Sequence, residues 1–568
     1  MNPTPQPSRA TMREDVSGLT IRWDEAQARA WTTGGQWEGL TIADRARRMA
    51  LESPHRVCHV SGGVELTYAD VWRASCALAA GLRRQGWKAG DTLAFMIPNW
   101  HEGAVIDIAA ALLGLVLCPI VPIYRDREVQ SILSETRARG IFVPTIWRRF
   151  DYQGMLERLK PQLPALQSVW TVRGQGDDDF ARLCADPKDT ESFAPVSADR
   201  VKLVMYTSGT TGRAKGVLHT HNTIARVVTR KLAHWRTQAG QSLLAPSPIT
   251  HVTGLVNGLE LPFFQASKCF LMERWDAEVA AKIIETERIS YTLCATPFMQ
   301  ELLDAAERNG RDLSSLRMFP CGGAAVPPQL IHHFRQRLPN CRAFRVYGSS
   351  EAPLITQGFL EPDQQRLAAE TDGAVVDYEV KIVDAHGKTV ADGVDGEICA
   401  KGPSLFAGYL NPEDNESAFD EDGYFHTGDL GHRTPEGAIV ISGRIKDLIN
   451  RGGEKISAKE VEDLILLQPG LAETAVVAMP HPRLGEAVCA YVRLSPGCHV
   501  SEAEILTRLE ATGVARQKLP EAIVFTDDLP KTPAGKIRKE VLREDARHRA
   551  LEKNASTPVA SAKAESAS

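Results

Sequence analysis

No Cys-x-x-Cys pair and no His-Glu-x-x-His stretch occurs in the 568 residues, although the chain has 11 cysteines and 15 histidines. The short spacings that most often announce a zinc site are therefore missing. Cysteines that are odd in number and dispersed through a long chain point to reduced thiols in a cytoplasm, not to a disulfide framework. Lys215, which follows a Gly/Ser/Thr-rich loop, is itself followed by Gly216 and not by Ser or Thr, so that loop is not a P-loop. Long apolar runs are scarce as well. The longest, Ile108 to Ile123, is interrupted by Gly114 and Pro119. It is too short and too broken to cross a bilayer and reads as a buried helix leading into a buried strand. Residues 1–13 are polar and carry prolines, so no secretory signal is expected there. A net charge of −5 and a pI near 6.3 argue against nucleic acid as the main partner. No internal repeat is visible.

What is present is the composition of a globular protein, 43% hydrophobic and 24% charged. The length calls for two to four folded units. Residues 1–40 read as an irregular lead-in, pinned to a core by Trp23, Trp31 and Trp37. From 41 onward, helices alternate with short apolar strands, among them Thr92 to Ile97 and Gly140 to Pro144. That pattern predicts a largely parallel α/β unit. A stretch rich in Asp, Gly and Pro, 174–199, separates it from a second α/β unit that runs through Arg342 to Tyr347. Short β segments at 376–443 predict a small β subdomain. The fold class is thus α/β: a large N-terminal domain (41–444) of two α/β subdomains plus the β subdomain. A hinge (445–448), a small mobile α+β C-terminal domain (449–550) and a disordered tail (551–568) complete it. In the C-terminal part, Ser457 to Glu460 and Ser501 to Glu504 carry capping-box patterns.

One stretch has an obvious chemistry. An apolar, β-forming run from Leu203 gives way to Thr207-Ser208-Gly209-Thr210-Thr211-Gly212, followed by Arg213 and Lys215. Glycines let backbone N–H groups approach an anion, hydroxyls donate to phosphate oxygens, and a lysine neutralises charge. The reading is a polyphosphate cradle of non-P-loop architecture.

Four further motifs follow in order: Tyr347-Gly348-Ser349-Ser350-Glu351, Tyr424-Phe425-His426-Thr427-Gly428-Asp429, the pair Gly443 to Asp447 and Arg451 to Ile456, and Leu529 to Lys536. Together with the loop they resemble the adenylate-forming superfamily of acyl-CoA synthetases, adenylation domains and luciferases, over about residues 40–545. One departure is Ser350, where the family usually has Thr; the hydroxyl is kept.

The resemblance implies a two-step reaction. A carboxylate attacks the α-phosphate of ATP, giving acyl-AMP and pyrophosphate, and the thiol of coenzyme A then takes the acyl group. It implies that Thr207, Ser208, Thr210, Thr211 and Lys215 hold the β- and γ-phosphates, with Gly209 and Gly212 in the same ATP-binding loop, and that Gly323 and Ala324 lie along adenine. Tyr347, followed by Gly348, would stack on adenine. Ser350 would donate to the α-phosphate, and Glu351 would ligate Mg²⁺. Asp429 would accept from the ribose hydroxyls with Arg444 beside it. Lys536 would bridge the attacking carboxylate and the α-phosphate. His251 would stand beside the acyl carboxylate, Lys446 would be the pivot, and Gly452 and Gly453 would line the coenzyme A side. Lys536 also stands in a context that resembles acetylation sites of relatives.

The segments expected around the acyl group, 251–257, 298–301, 321–323 and 352–355, carry no lysine or arginine. That favours an uncharged alicyclic, medium-chain or aromatic acid. Two other functions stay open: a ligase that loads a carrier protein, and a catalytically silent binding protein.

Overall fold

The computed structural model describes residues 10–174, 180–184, 192–207, 214–323, 326–532 and 535–555. The chain divides into two compact units, one of residues 1–427 and 433–440, the other of 428–432 and 441–568.

The larger unit is built on two sheets. The first has six strands in the order Ser168–Val172, Gly140–Pro144, Thr92–Phe95, Val116–Pro119, Val201–Thr207, Lys215–Thr220. All its pairings are parallel except the last, where Val201–Thr207 and Lys215–Thr220 run antiparallel. The second has seven strands, in the order Arg342–Val346, Met318–Gly322, Tyr291–Thr292, Ser242–Ala245, Lys268–Leu271, Val57–Ser61, Val64–Thr67.

This partition differs from the sequence reading in two places. The strand that leads into the phosphate loop belongs to the first sheet, not to a second unit beyond 174–199. An early hairpin, Val57–Ser61 with Val64–Thr67, crosses to the second sheet. Local pattern identifies a strand but carries no record of its neighbour, because both sheets demand the same buried apolar residues.

Side-chain alternation explains the layering. Leu93 and Phe95, Leu203 and Met205, and from the other sheet Leu243, Cys269 and Leu271, all enter one shared core. The helices Tyr68–Arg84, Glu102–Leu113 and His221–Trp235 contribute to that same core. The alternate residues Ala94, Val204 and Tyr206 enter a second core, and Leu244 and Phe270 a third. Each sheet is covered on both faces, and so its strands read as unbroken apolar runs. Within the stretch 108–123, Ile108–Ala111 and Leu115–Ile120 are buried as a helix end and a strand, as the composition predicts, while Ile123 is exposed.

The lead-in is more regular than expected. Thr11–Glu14 pairs with Thr20–Trp23, and Glu25–Thr33 is helical. Trp37 is buried, donates from Nε1 to Pro403 O at 2.9 Å and stacks near Trp31 and Trp23.

The smaller unit carries a five-stranded sheet. Glu454–Ser457, Leu448–Arg451, Gly485–Leu494 and Leu471–His481 follow in order, and Ala522–Phe525 also pairs with Gly485–Leu494. Val476, Val488 and Ala490 face the helices Ala458–Leu466 and Glu502–Ala511. Ala475, Val477 and Tyr491 face the last helix, Lys539–Ala555. That helix takes up five residues of the expected tail; 556–568 lie outside the described residues. Ser501 makes a full capping box with Glu504. Ser457 caps Glu460 N at 3.3 Å without the reciprocal bond, because the Glu460 carboxylate pairs with Lys518 at 2.6 Å. Among the described residues no helix is long and apolar enough to cross a membrane.

Candidate active site

In the larger unit the hairpin sets Thr207 directly opposite Lys215, at the ends of two antiparallel strands. Ser208, Gly209, Thr210, Thr211 and Gly212, expected to cradle phosphate, lie outside the described residues, as does Ala324. Lys215 Nζ lies 3.2 Å from Asp414 and 4.7 Å from the centre of the Tyr409 ring. The Tyr409 hydroxyl donates to Glu351 Oε1 at 3.1 Å. The loop lysine and the Glu351 carboxylate are thus tied to one aromatic ring. Burial and the Glu351 charge push the Tyr409 phenol upward, so it stays a donor across the working pH range.

Long-range contacts also hold the backbone of this motif. Phe406 N donates to Glu351 O at 2.8 Å, and His219 Nε2 lies 2.7 Å from Ser350 O. A carbonyl only accepts, so His219 carries its proton on Nε2. Burial pushes its pKa down to about 4, which keeps the ring neutral. Tyr347 N donates to Thr356 Oγ1 at 3.0 Å, and the Tyr347 ring borders a small core with Ile355 and Phe406. Gly348 follows, and Gly323 comes directly after the strand Met318–Gly322.

His251 caps a short helical turn, its Nδ1 accepting from Thr253 N at 3.4 Å. A Cβ on Gly254 would meet Pro248 O at 1.9 Å, so the tight return of this segment requires glycine. A π-helical stretch, Leu255–Glu260, follows at once. The other segments expected near the acyl group have other occupations. Phe298 stacks on Trp275 with ring centres 4.5 Å apart, and Glu301 accepts from Trp275 Nε1 at 2.5 Å. Ala352 and Ile355 are core residues, and Cys321 is buried.

The smaller unit brings together its own set. Asp429 is buried, and one of its oxygens lies 2.7 Å from Arg444 Nε. Lys446 sits in the short 3₁₀ turn Ile445–Asp447; burial, and then Arg444, lower its pKa. Asp447 is held by Arg543 and lies 3.9 Å from Lys539. Gly452 and Gly453 are the two central residues of the hairpin between Leu448–Arg451 and Glu454–Ser457. Their φ values of 61° and 94° are those of a type I′ turn, so chain reversal alone already accounts for both glycines. Lys536 lies on a tight turn in which Thr532 N donates to Lys536 O at 2.7 Å and Lys536 N donates to Thr532 Oγ1 at 3.1 Å. His426, inside the third motif, lies 2.9 Å from Glu397, a local pair in the β subdomain.

Tyr409, Asp414 and His219 were not singled out in the sequence. Each joins the site across a long chain separation, and none stands in a recognisable spacing.

Comparison with known proteins identifies the family. Residues 46–410 match the model of the AMP-binding enzyme family, and residues 460–536 match the AMP-binding enzyme C-terminal domain. The chain is 34% identical over 545 residues to the medium-chain fatty-acid–CoA ligase of Escherichia coli (strain K12), covering 94% of this chain and 96% of that protein. It is 31% identical to the vibriobactin-specific 2,3-dihydroxybenzoate-AMP ligase of Vibrio cholerae serotype O1, covering 92% and 96%. The crystal structure of ATP-bound MatB from Rhodopseudomonas palustris superposes with a TM-score of 0.81 at 25% identity, covering 90% of this chain and all of that one. With both family regions matched in order and more than half of the chain covered, the chain belongs to the AMP-binding enzyme family.

Proposed function

We propose that this protein is an ATP-dependent acyl-CoA ligase that converts a carboxylic acid, ATP and coenzyme A to acyl-CoA, AMP and pyrophosphate through an acyl-adenylate. The observation that carries the reading is the chain Lys215–Tyr409–Glu351, which joins a loop cation to a positioned carboxylate.

A carboxylate is a poor acylating agent, and adenylation gives it a good leaving group. The cost is negative charge gathering at the α-phosphate, which cations and donors placed beforehand can stabilise. Lys215 and the loop before it take the leaving pyrophosphate. Ser350, its carbonyl tied to His219, donates to the α-phosphate, while Tyr347 and Gly323 flank adenine. Glu351 suits Mg²⁺: it is a hard oxygen donor, and among the described residues only Oε1 has a side-chain hydrogen-bond partner, the Tyr409 hydroxyl. Asp429 and Arg444 take the ribose, and Lys536 neutralises the carboxylate as it attacks. In the second half-reaction the smaller unit turns about Lys446 and presents the hairpin 451–455 to the thiol, a gated step. Acetylation of Lys536 would remove the charge that the first step uses. A cytoplasmic location suits the reduced thiols.

The acid is proposed to have an alicyclic, medium-chain or aromatic body. Pyrophosphate release measured over a broad panel of such acids, with ATP, Mg²⁺ and coenzyme A, tests the reading. Activation of at least one acid, with AMP and a thioester formed only when coenzyme A is present, is the expected result. The likeness to a 2,3-dihydroxybenzoate-AMP ligase keeps one competitor: acylation of a holo carrier protein with no response to coenzyme A would replace the thioester reading. Absence of any pyrophosphate release would leave a binding protein.

A further inference from the structure

The segments read as lining the acyl group carry no cation of their own, yet the fold delivers one to them. Lys231, on the helix His221–Trp235, is wholly buried. Its Nζ donates to Asn257 Oδ1 at 2.5 Å, the only hydrogen bond it makes among the described residues. Asn257 belongs to the π-helical stretch that leads away from His251, and its Nδ2 donates to Thr253 O at 2.7 Å. The same Oδ1 accepts from Tyr291 OH at 2.7 Å.

Lys231 is short of acceptors. An ammonium has three N–H donors, and one is used. No carboxylate lies within ion-pair distance of it among the described residues. Glu260, on the same stretch, is 3.1 Å from Lys202, and Lys202 also holds Asp107. Those two acids share Lys202; Glu260 still favours the Lys231 charge through space, but the one acceptor on Lys231 Nζ among the described residues is an amide oxygen. Burial accordingly pulls the Lys231 pKa down to about 7. A buried cation left with unused donors is costly unless something else completes its shell. The π-helical turn beside it is a second, independent sign, since such turns are rare and concentrate at functional sites.

The geometry points to a distal oxygen subsite: we propose that Lys231, with Asn257 and Tyr291, receives a keto or hydroxyl oxygen at the far end of the acyl group whose carboxylate sits at His251. Asn257 stands six residues beyond His251 on the same continuous helical stretch. The preferred substrate is then an acid with an apolar body and an oxygen acceptor remote from the carboxylate. This inference rests on the acyl-CoA ligase reading above and gives it a substrate class.

The test compares paired acids in pyrophosphate release: octanoate with its keto analogue oxidised at the penultimate carbon, and cyclohexanecarboxylate with its para-keto analogue. The full-length enzyme should favour the oxygenated member of at least one pair by about 10-fold or more in kcat/KM, the scale of a hydrogen bond to a charged group. Lys231→Met should abolish or invert that ratio, and Lys231→Gln, which retains a donor, should restore part of it. A ratio is immune to general damage, which lowers both arms alike. The wild-type ratio decides the matter alone if neither variant folds. A wild-type ratio near one for both pairs, or an unchanged ratio in Lys231→Met, overturns the subsite while leaving the ligase intact. Failure to release pyrophosphate with any acid overturns the ligase reading itself.

Discussion

The residues of the larger unit proposed to face the phosphates are fixed by contacts far apart in sequence, whereas Lys536 in the smaller unit rests on a turn of its own neighbours. Glu351 is held by Tyr409 across 58 positions, and Ser350 by His219 across 131. The Lys536 turn closes on Thr532, four positions away. Long-range fixation suits groups that must wait in place for a charge to develop. A self-contained turn suits a group that travels with its unit, because its geometry survives displacement. On the proposed reading, preorganisation belongs to the larger unit and mobility to the smaller, and each of the following experiments would break or sharpen that division.

The largest effect is expected at the mobile group. Lys536→Ala should lower pyrophosphate release by about 10²–10³-fold, the loss of one charged stabiliser from a water-poor site. Thioester formation from supplied acyl-AMP and coenzyme A should be nearly unchanged. Equal losses in both half-reactions would mean that Lys536 is a fixed part of one shared site.

The larger unit should be the acid-sensitive one. His219 and His59 are buried and neutral, each held by burial at a pKa of about 4. His59 Nδ1 has no partner among the described residues, so a second proton there would be unpaired. Unfolded histidine titrates near 6.5. Between pH 6.5 and 4 the unfolded chain therefore takes up protons that the folded chain refuses, and stability falls as pH falls. Each ring should cost on the order of 2 kcal/mol at pH 5 relative to neutral pH. His219→Gln, whose amide can still donate to Ser350 O, should remove about that much of the acid slope in thermal melting. An unaltered slope would show that the ring is hydrated or already charged.

A smaller effect is expected from the link between the phosphate loop and the acid. Tyr409→Phe deletes the donor to Glu351 while leaving the ring under Lys215. Pyrophosphate release should fall about 10-fold, the lower end for one hydrogen bond to a charged group. The Mg²⁺ concentration needed for half-maximal rate should rise with it. A fall in rate with no change in Mg²⁺ dependence would reduce Tyr409 to packing.

These contrasts also mark how far the sequence could be read. Elements whose signal is local were legible: Gly140–Pro144 has the bounds its apolar run implies, and Ser501 with Glu504 caps its helix. Sheet membership was not, because Val57–Ser61 and Val201–Thr207 carry the same apolar pattern whichever sheet receives them. The site followed the same rule. The motif residues stand in spacings that resemble a known superfamily, but the side chains that hold them do not. Tyr409, His219 and Lys231 are ordinary residues of a loop, a strand and a helix until folding brings them to Glu351, Ser350 and Asn257. The pattern Ser457 to Glu460 shows the reverse failure, since a distant lysine, Lys518, draws away the carboxylate that the local rule assigned to the cap.

The smallest predicted effect tests whether the smaller unit can be loosened without touching the chemistry. Ser501 accepts from Glu504 N at 3.3 Å, while Glu504 accepts from Ser501 N at 2.8 Å. Ser501→Ala removes half of that exchange and should cost about 1 kcal/mol, the usual value of an N-terminal cap. The cost should appear as faster amide exchange over Glu502–Ala511, a helix whose Ile505 and Leu509 belong to the core of the smaller unit. Pyrophosphate release should not change, because the backbone of the Lys536 turn closes on Thr532, four positions away. If exchange accelerates and adenylation falls together, the turn depends on the whole unit, and the division between a fixed site and a self-contained mobile group no longer holds.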